Sequence, residues 1–314
     1  MFAIGVENHL LCGLALLVGA VGALGLGCRR CLRAGVAGRK IVLATVLLPL
    51  FTAFFSHLLY CLVDVEYILY SYSAGYLFAF WEKGHMFYGG MLGAVLALFA
   101  AGGREGPKLM EQYAPGAAWM IAAARVAEGF LGQGYGEYAG GESFFCRFPF
   151  MAFDPYYEDW AWALFVLEAL VALGLFVMLL KRKQTWQGDG ALLLTGLYAS
   201  AQIVLESLRR DEFLRWGFVR VEEVASAVVV LAVLVCYCVR AGRGRTLAKA
   251  ACFGVFALMV VFCLLLEFAT EGRIPFLAFL DVNACYIAMA CACVLMGGCV
   301  LWMRRICGAK LAVA

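Results

Sequence analysis

Nine apolar runs, each about twenty residues long, constrain this chain more than any other feature. They cover about 10–27, 41–63, 86–102, 114–133, 160–180, 190–207, 222–239, 250–268 and 282–303. An α-helix of that length crosses a hydrocarbon core roughly 30 Å thick. Lipid offers no partner to an unpaired backbone N–H or C=O, so each run is expected to satisfy its own backbone as a helix. With 65% hydrophobic and 15% charged residues, a soluble fold of 314 residues is excluded. The expectation is an all-α, polytopic membrane helix bundle in one domain. The first run has no basic region before it, so no cleavable signal peptide is expected. Residues 64–85 are apolar but rich in Tyr, Phe and Trp, which suits an interfacial or re-entrant segment.

Basic residues predict the orientation. With the N-terminus outside, the inner loops carry Arg29, Arg30, Arg33, Arg39, Lys40, Arg104, Lys108, Lys181, Arg182, Lys183, Arg240, Arg243, Arg245 and Lys249, and the tail adds Arg304, Arg305 and Lys310. That bias predicts N-out, C-in. The net charge of +3 speaks to orientation and not to nucleic acid, so no nucleic-acid partner is expected. One outer cluster, Arg209, Arg210, Arg215 and Arg220, breaks the trend. It reads either as a solvated loop neutralised by Asp211 and Glu212 or as an anion site, since the arginine fork matches phosphate.

The fourteen cysteines lie mostly in apolar runs, where they act as small hydrophobes. Cys28 and Cys31 form a single CxxC, but a structural zinc needs four ligands, so neither metal nor cofactor is expected.

Arg125 and Glu128 lie one helical turn apart in the apolar fourth run. A charge at that depth costs roughly 2.5–3.5 kcal/mol on insertion scales, which is borne only where the charge faces a polar interior. Spacing i,i+3 lets the two pair. His57 and Tyr60 share a face of the second run, Glu168 sits mid-run in the fifth, and Gln202, Glu206 and Arg209 form one stripe at the outer end of the sixth. Isolated polar residues would be hydrogen-bonding glue between helices. Charges on three separate runs favour a cavity. The pair Gly89-Gly90, flanked by His85 and Tyr88, opens the third run; it suits close helix packing or backbone approach to an anion. The glycine-rich loop from Gly132 through Gln133 to Gly136 leaves the fourth run, and residues 134–159 form either a cap or a plain connector.

These pieces, in this order, resemble the prolipoprotein diacylglyceryl transferase family. Its GGMSFHGGLIG-like stretch is similar to Lys83-Gly84-His85-Met86-Phe87-Tyr88-Gly89-Gly90-Met91-Leu92-Gly93. Its RIGNFINGELWG-like stretch is similar to Arg125-Val126-Ala127-Glu128-Gly129-Phe130-Leu131-Gly132-Gln133-Gly134-Tyr135-Gly136. A faint LYE element falls at Val166-Leu167-Glu168, and the YGxxRFxxExxR element at Tyr198 to Arg209, with Glu206 and Arg209 retained. The departures are Tyr88 for the family's His, Glu128 for its Asn, Gln133 for its Glu, and His57 and Gln202 for two of its Arg.

The resemblance implies residues 1–240 as a seven-span transferase-like membrane domain, with 241–314 adding two helices and a tail. It implies transfer of a diacylglyceryl group from phosphatidylglycerol, or a similar anionic lipid, to the lipobox cysteine of a prolipoprotein signal peptide. It also implies a bacterial inner-membrane location. Arg125 and Arg209 take the phosphate-holding roles, with Tyr88, Glu128 and His85 as candidates for proton transfer. Gly89, Gly90, Gln133, Gly136, Tyr198, Glu206 and His57 are the expected substrate-binding set. The alternative is a lipid-binding paralogue without turnover or with another acceptor. A transporter is a third class; its usual internal repeats are not seen here.

Overall fold

The computed structural model describes residues 4, 7–139, 144–182, 184–210, 214–216, 219–242, 244–270, 272–273 and 280–311. Lys183, Asp211, Glu212 and Arg243, used in the charge argument above, lie outside them. The helices run in the order α1 (His9–Arg33), α2 (Gly38–Val63), α3 (Val65–Ser71), α4 (Phe87–Gly102), α5 (Gly106–Phe130), α6 (Leu164–Lys181), α7 (Asp189–Leu208), α8 (Val221–Ala241), α9 (Thr246–Thr270) and α10 (Val282–Leu311). All but the short α3 coincide with the expected runs. Eight described helical stretches are long and apolar enough to cross a membrane, so the chain is a multi-pass membrane protein. The runs expected separately as third and fourth join in one stretch, Phe87–Phe130, of 44 residues. A straight helix of that length would measure about 66 Å, twice a bilayer core. A 3-10 turn at Gly103–Glu105 divides it, with Gly103 in the left-handed region at φ +56°.

Local chemistry sets the helix ends. The Asn8 Oδ1 accepts the Leu11 N–H at 3.0 Å and so caps the start of α1. Arg30 and Arg33 sit in the last turn of α1, and Arg240 in that of α8, where the helix dipole favours cations.

The described chain divides into two compact units. One comprises Ala20–Ala117 and Leu179–Ala191; the other comprises Met1–Gly19, Ala118–Met178 and Leu192–Ala314. In the first, α4 lies against α2 through glycines. A Cβ at Gly89 would sit 2.4 Å from the Phe55 carbonyl oxygen, and one at Gly93 would sit 2.2 Å from that of Phe51. This packing is reason enough for glycine at both positions. Ser56 Oγ donates to the Met86 carbonyl at 2.8 Å, and the Met86 N–H returns a bond to the Ser56 carbonyl at 3.0 Å, pinning the start of α4. Gly93→Ala is expected to force the two backbones apart and to destabilise the protein by about 1–3 kcal/mol, the usual range for overpacking. A thermal melt of the purified protein measures it; an unshifted melt would refute the close approach.

The same unit ties three helix ends together: Arg182 pairs with Glu111 and with Asp189, and Glu111 Oε2 accepts the Gly190 N–H at 2.6 Å. Cys28 Sγ lies 3.2 Å from Thr45 Oγ1, and both cysteines of the CxxC are free thiols.

The second unit adds sheet that the all-α expectation lacked. Strands β1 (Met151–Asp154) and β2 (Asp159–Trp162) pair antiparallel, and Tyr138 bridges to Ala161. Tyr138 donates to Asp154 Oδ2 at 2.6 Å; burial first, then this carboxylate, push the phenol's ionisation upward. The segment between α5 and α6 therefore contains a folded hairpin. A second, two-residue pair, β3 (Arg215–Trp216) and β4 (Val219–Arg220), precedes α8. Gly196 of α7 brings Val233 of α8 and Val300 of α10 within van der Waals range of its α-carbon face, so α7, α8 and α10 pack tightly together.

Candidate functional site

The polar residues of the second unit gather into one buried network. The Arg125 Nη1 donates to both oxygens of Glu128, at 2.8 and 3.0 Å, as the i,i+3 spacing on α5 predicts. Its Nε donates to the Tyr198 hydroxyl at 2.9 Å and lies 3.4 Å from Glu168 Oε2. Arg209, at the end of α7, brings Nη1 and Nη2 each to 3.2 Å from the same Glu128 oxygen. Its Nη1 is also 3.4 Å from Glu168 and 3.7 Å from Glu206. The two guanidinium groups, from separate helices, thus converge on shared carboxylates.

Gln202 stands one helical turn before Glu206. Its amide donates to Glu168 at 2.9 Å and to Glu206 at 2.7 Å, holding two like charges in fixed geometry. Arg220 Nε donates to the other Glu206 oxygen at 3.0 Å. Three arginines therefore face three glutamates. Each ion has an opposite partner and directional hydrogen bonds, the condition under which charge survives burial.

Exposure separates one member from the rest. The Glu128 side chain is 28% exposed, against 4% for Arg125, 7% for Arg209, 1% for Glu206 and 0% for Glu168. Glu128 is thus the one carboxylate of the three that solvent reaches. The glycine loop lies beside it. Gly132 and Gly134 take positive φ, +68° and +73°, and a Cβ on Gly134 would come 3.6 Å from Glu128 Oε2. Gly129, Gly132, Gln133 and Tyr135 line a shallow surface dimple together with Ile4, Ala152 and Phe165, and it encloses no room for a water molecule. Gly136 donates its N–H to the Trp162 carbonyl at 2.8 Å, so the loop is stitched to β2.

The outer arginines do not behave as one solvated loop. Arg209 and Arg220 are buried in the network, and Arg215 is exposed. Arg210 pairs with Glu137 and donates to the Tyr286 hydroxyl at 2.8 Å. Glu168, Gln202 and Arg220 carry more of the network than the sequence suggested. The available signal for Arg220 was its position directly before an apolar run that begins with two further charges, Glu222 and Glu223.

The remaining expected residues belong to the first unit. His57 is fully buried, with Nδ1 2.9 Å from the Gly84 carbonyl oxygen and Nε2 2.9 Å from that of Tyr76. It therefore anchors the 64–85 segment to α2. Its ring centroid lies 5.7 Å from that of His85. Burial, then the neighbouring His57, lower the pKa of His85 below the usual imidazole range, which favours the neutral, proton-accepting ring. Tyr88 is buried at the start of α4, edge-on to Phe87 at 5.1 Å, and Gly89 and Gly90 lie along the α2 contact.

Compared with known protein families, residues 1–239 match the model of the prolipoprotein diacylglyceryl transferases. No curated protein matches the chain.

Proposed function

Since the chain belongs to the prolipoprotein diacylglyceryl transferase family, we propose that it moves a diacylglyceryl group from phosphatidylglycerol, or a similar anionic phospholipid, to the lipobox cysteine of a prolipoprotein. The bacterial inner membrane is the site of action in this reading. The observation that carries it is the sharing of Glu128 by Arg125 and Arg209. Two forks aimed at one accessible carboxylate are also aimed at any phosphate that takes its place, and arginine binds both oxyanions with the same geometry.

The donor's phosphate displaces Glu128 from between the two arginines. The freed carboxylate then accepts the thiol proton as the S–H bond breaks. The thiolate is the nucleophile. Its lone pair forms a C–S bond to the glycerol carbon that bears the phosphate ester. The C–O bond to phosphate breaks, and its electron pair leaves with glycerol phosphate, which recovers the proton from Glu128. No electrons are gained or lost. Arg125 and Arg209 stabilise the charge that develops on the departing phosphate. Tyr198, Gln202 and Glu206 hold the two arginines in register. His85, Tyr88, His57, Gly89, Gly90, Gln133 and Gly136 are carried into the proposal residue by residue from the family pattern. His85 is the second candidate for the base.

A second reading, lipid binding without transfer or with a different acceptor, is favoured by one observation: the arginine pair already holds an internal anion where a headgroup would sit. One assay separates the two. Purified protein is incubated with radiolabelled phosphatidylglycerol and a lipobox peptide. Transfer of label to the peptide is the expected result. Lipid retained by the protein with no labelled peptide would reject transfer to a lipobox thiol.

A further inference from the structure

Helix α10 lies beyond residue 239, where the family match ends, and belongs to the same compact unit as the charge network. Asp281 Oδ2 accepts the Ala284 N–H at 3.2 Å and so caps its first turn. Met289, Met296 and Met303 are each 0% exposed, and their heptad spacing puts them on one face. Contacts from this helix run along α7, which carries Tyr198, Gln202 and Glu206. A Cβ at Gly196 would sit 2.9 Å from Val300, and one at Gly297 would sit 3.5 Å from Leu197 and 4.0 Å from Ser200. Nearer the end of α7, the Ser207 hydroxyl donates to the Met289 sulfur at 3.9 Å. Each step forward along α7 is thus met by an equal step back along α10, so the two helices run antiparallel in one register. Small residues at the seam permit that approach. The same register reaches past the end of α7 to Arg210 and Tyr286, where Arg210 Nη2 donates to the Tyr286 hydroxyl at 2.8 Å.

This last contact bears on Arg209. Helix α7 ends at Leu208, so no further helical turn holds the arginine that follows it. The Arg209 N–H donates to the Glu206 carbonyl at 3.1 Å, which fixes the residue from one side. Arg210 fixes it from the other. Its N–H donates to the Tyr135 carbonyl at 2.9 Å and its guanidinium pairs with Glu137, both in the glycine loop. Tyr286 adds an anchor from α10, and both members of that contact are half-buried.

We propose that Tyr286 is a positioning residue for the headgroup site: through Arg210 it holds Arg209 where its guanidinium meets Glu128 or the phosphate that replaces it. Helix α10 is then a working wall of the site. The part played in transfer rests on the transferase reading above; the placement of Arg209 does not.

The full chain in lipid nanodiscs, as wild type and as Tyr286→Phe, is treated with phenylglyoxal, which modifies accessible guanidinium groups, and the adducts are located by tandem mass spectrometry. Phenylalanine keeps the ring and its packing and removes only the hydroxyl. In wild type, Arg125 and Arg209 are both expected to resist modification. In Tyr286→Phe, Arg209 is expected to react about tenfold faster, the scale of one hydrogen bond to a charged group, while Arg125 stays protected. Arg210→Gln is expected to expose Arg209 at least as much, and adding Tyr286→Phe to it to change nothing more, because both cut one connection. Single-turnover transfer at saturating phosphatidylglycerol is expected to fall by about tenfold in Tyr286→Phe for the same reason. Equal Arg209 reactivity in wild type and Tyr286→Phe overturns the positioning role. So does a parallel rise at Arg125, which reports general loosening of the bundle. An exposed Arg209 with unchanged transfer overturns the part played in transfer. Wild-type protein that transfers no label rejects the transferase reading and leaves the modification pattern to decide what holds Arg209.

Discussion

Arg125→Ala is expected to abolish headgroup binding and to destabilise the protein by about 3–5 kcal/mol. The second effect follows from what the substitution leaves behind. Glu168 and Glu206 are buried, and each loses a cation that lies within 4.0 Å. Removing one partner of a buried ion pair carries a penalty of that size because the remaining charge has neither water nor counter-ion. A lipid-binding assay and a thermal melt on the same preparation measure both effects. Adding Glu168→Gln to Arg125→Ala removes one uncompensated charge, so part of the stability is expected to return while binding stays lost. Intact headgroup binding in folded Arg125→Ala protein would remove this arginine from the site.

Glu128→Gln is expected to act in two opposite directions. Glutamine keeps the shape but drops the negative charge that Arg125 and Arg209 share. The donor phosphate then meets two arginines that no longer hold a competing anion, and its affinity rises by about tenfold, or ~1.4 kcal/mol. The gain is modest because Glu128 is partly exposed and water screens its ion pairs. Transfer to the thiol is expected to fall by roughly 10²–10⁴-fold, the range for loss of a positioned proton acceptor. Lipid titration and single-turnover transfer separate the two effects. Weaker binding with an unchanged rate would refute both the displacement and the base role.

The nine runs were legible because a membrane leaves the backbone few options: an apolar run of the right length is read as a helix whatever it packs against. Arg125 and Glu128 were legible for the same reason, since paired charges one turn apart in such a run need an interior partner. Glu206 and Arg209 were visible as a stripe on one helix face. Less was legible where meaning depends on a distant neighbour. Arg220 and Arg215 look alike in a loop rich in arginine, yet one is buried against Glu206 and the other is exposed. Gly89 and Gly90 look like an anion cradle as readily as a helix contact, and only the structure shows the Phe55 carbonyl and the Thr52 methyl at their faces. The hairpin of β1 and β2 was not foreseen, because four-residue strands within an aromatic segment carry too little alternation to stand out.

The sequence by itself determined the solvent this protein folds in, its helices and the family to which its first 239 residues belong, because each of these follows from local chain chemistry and motif order. Only the tertiary structure decided which charges meet. Arg125, Glu168, Gln202 and Arg220 are spread over nearly a hundred residues, and a hydrogen bond of about 3 Å is a property of helix packing that no spacing along the chain encodes.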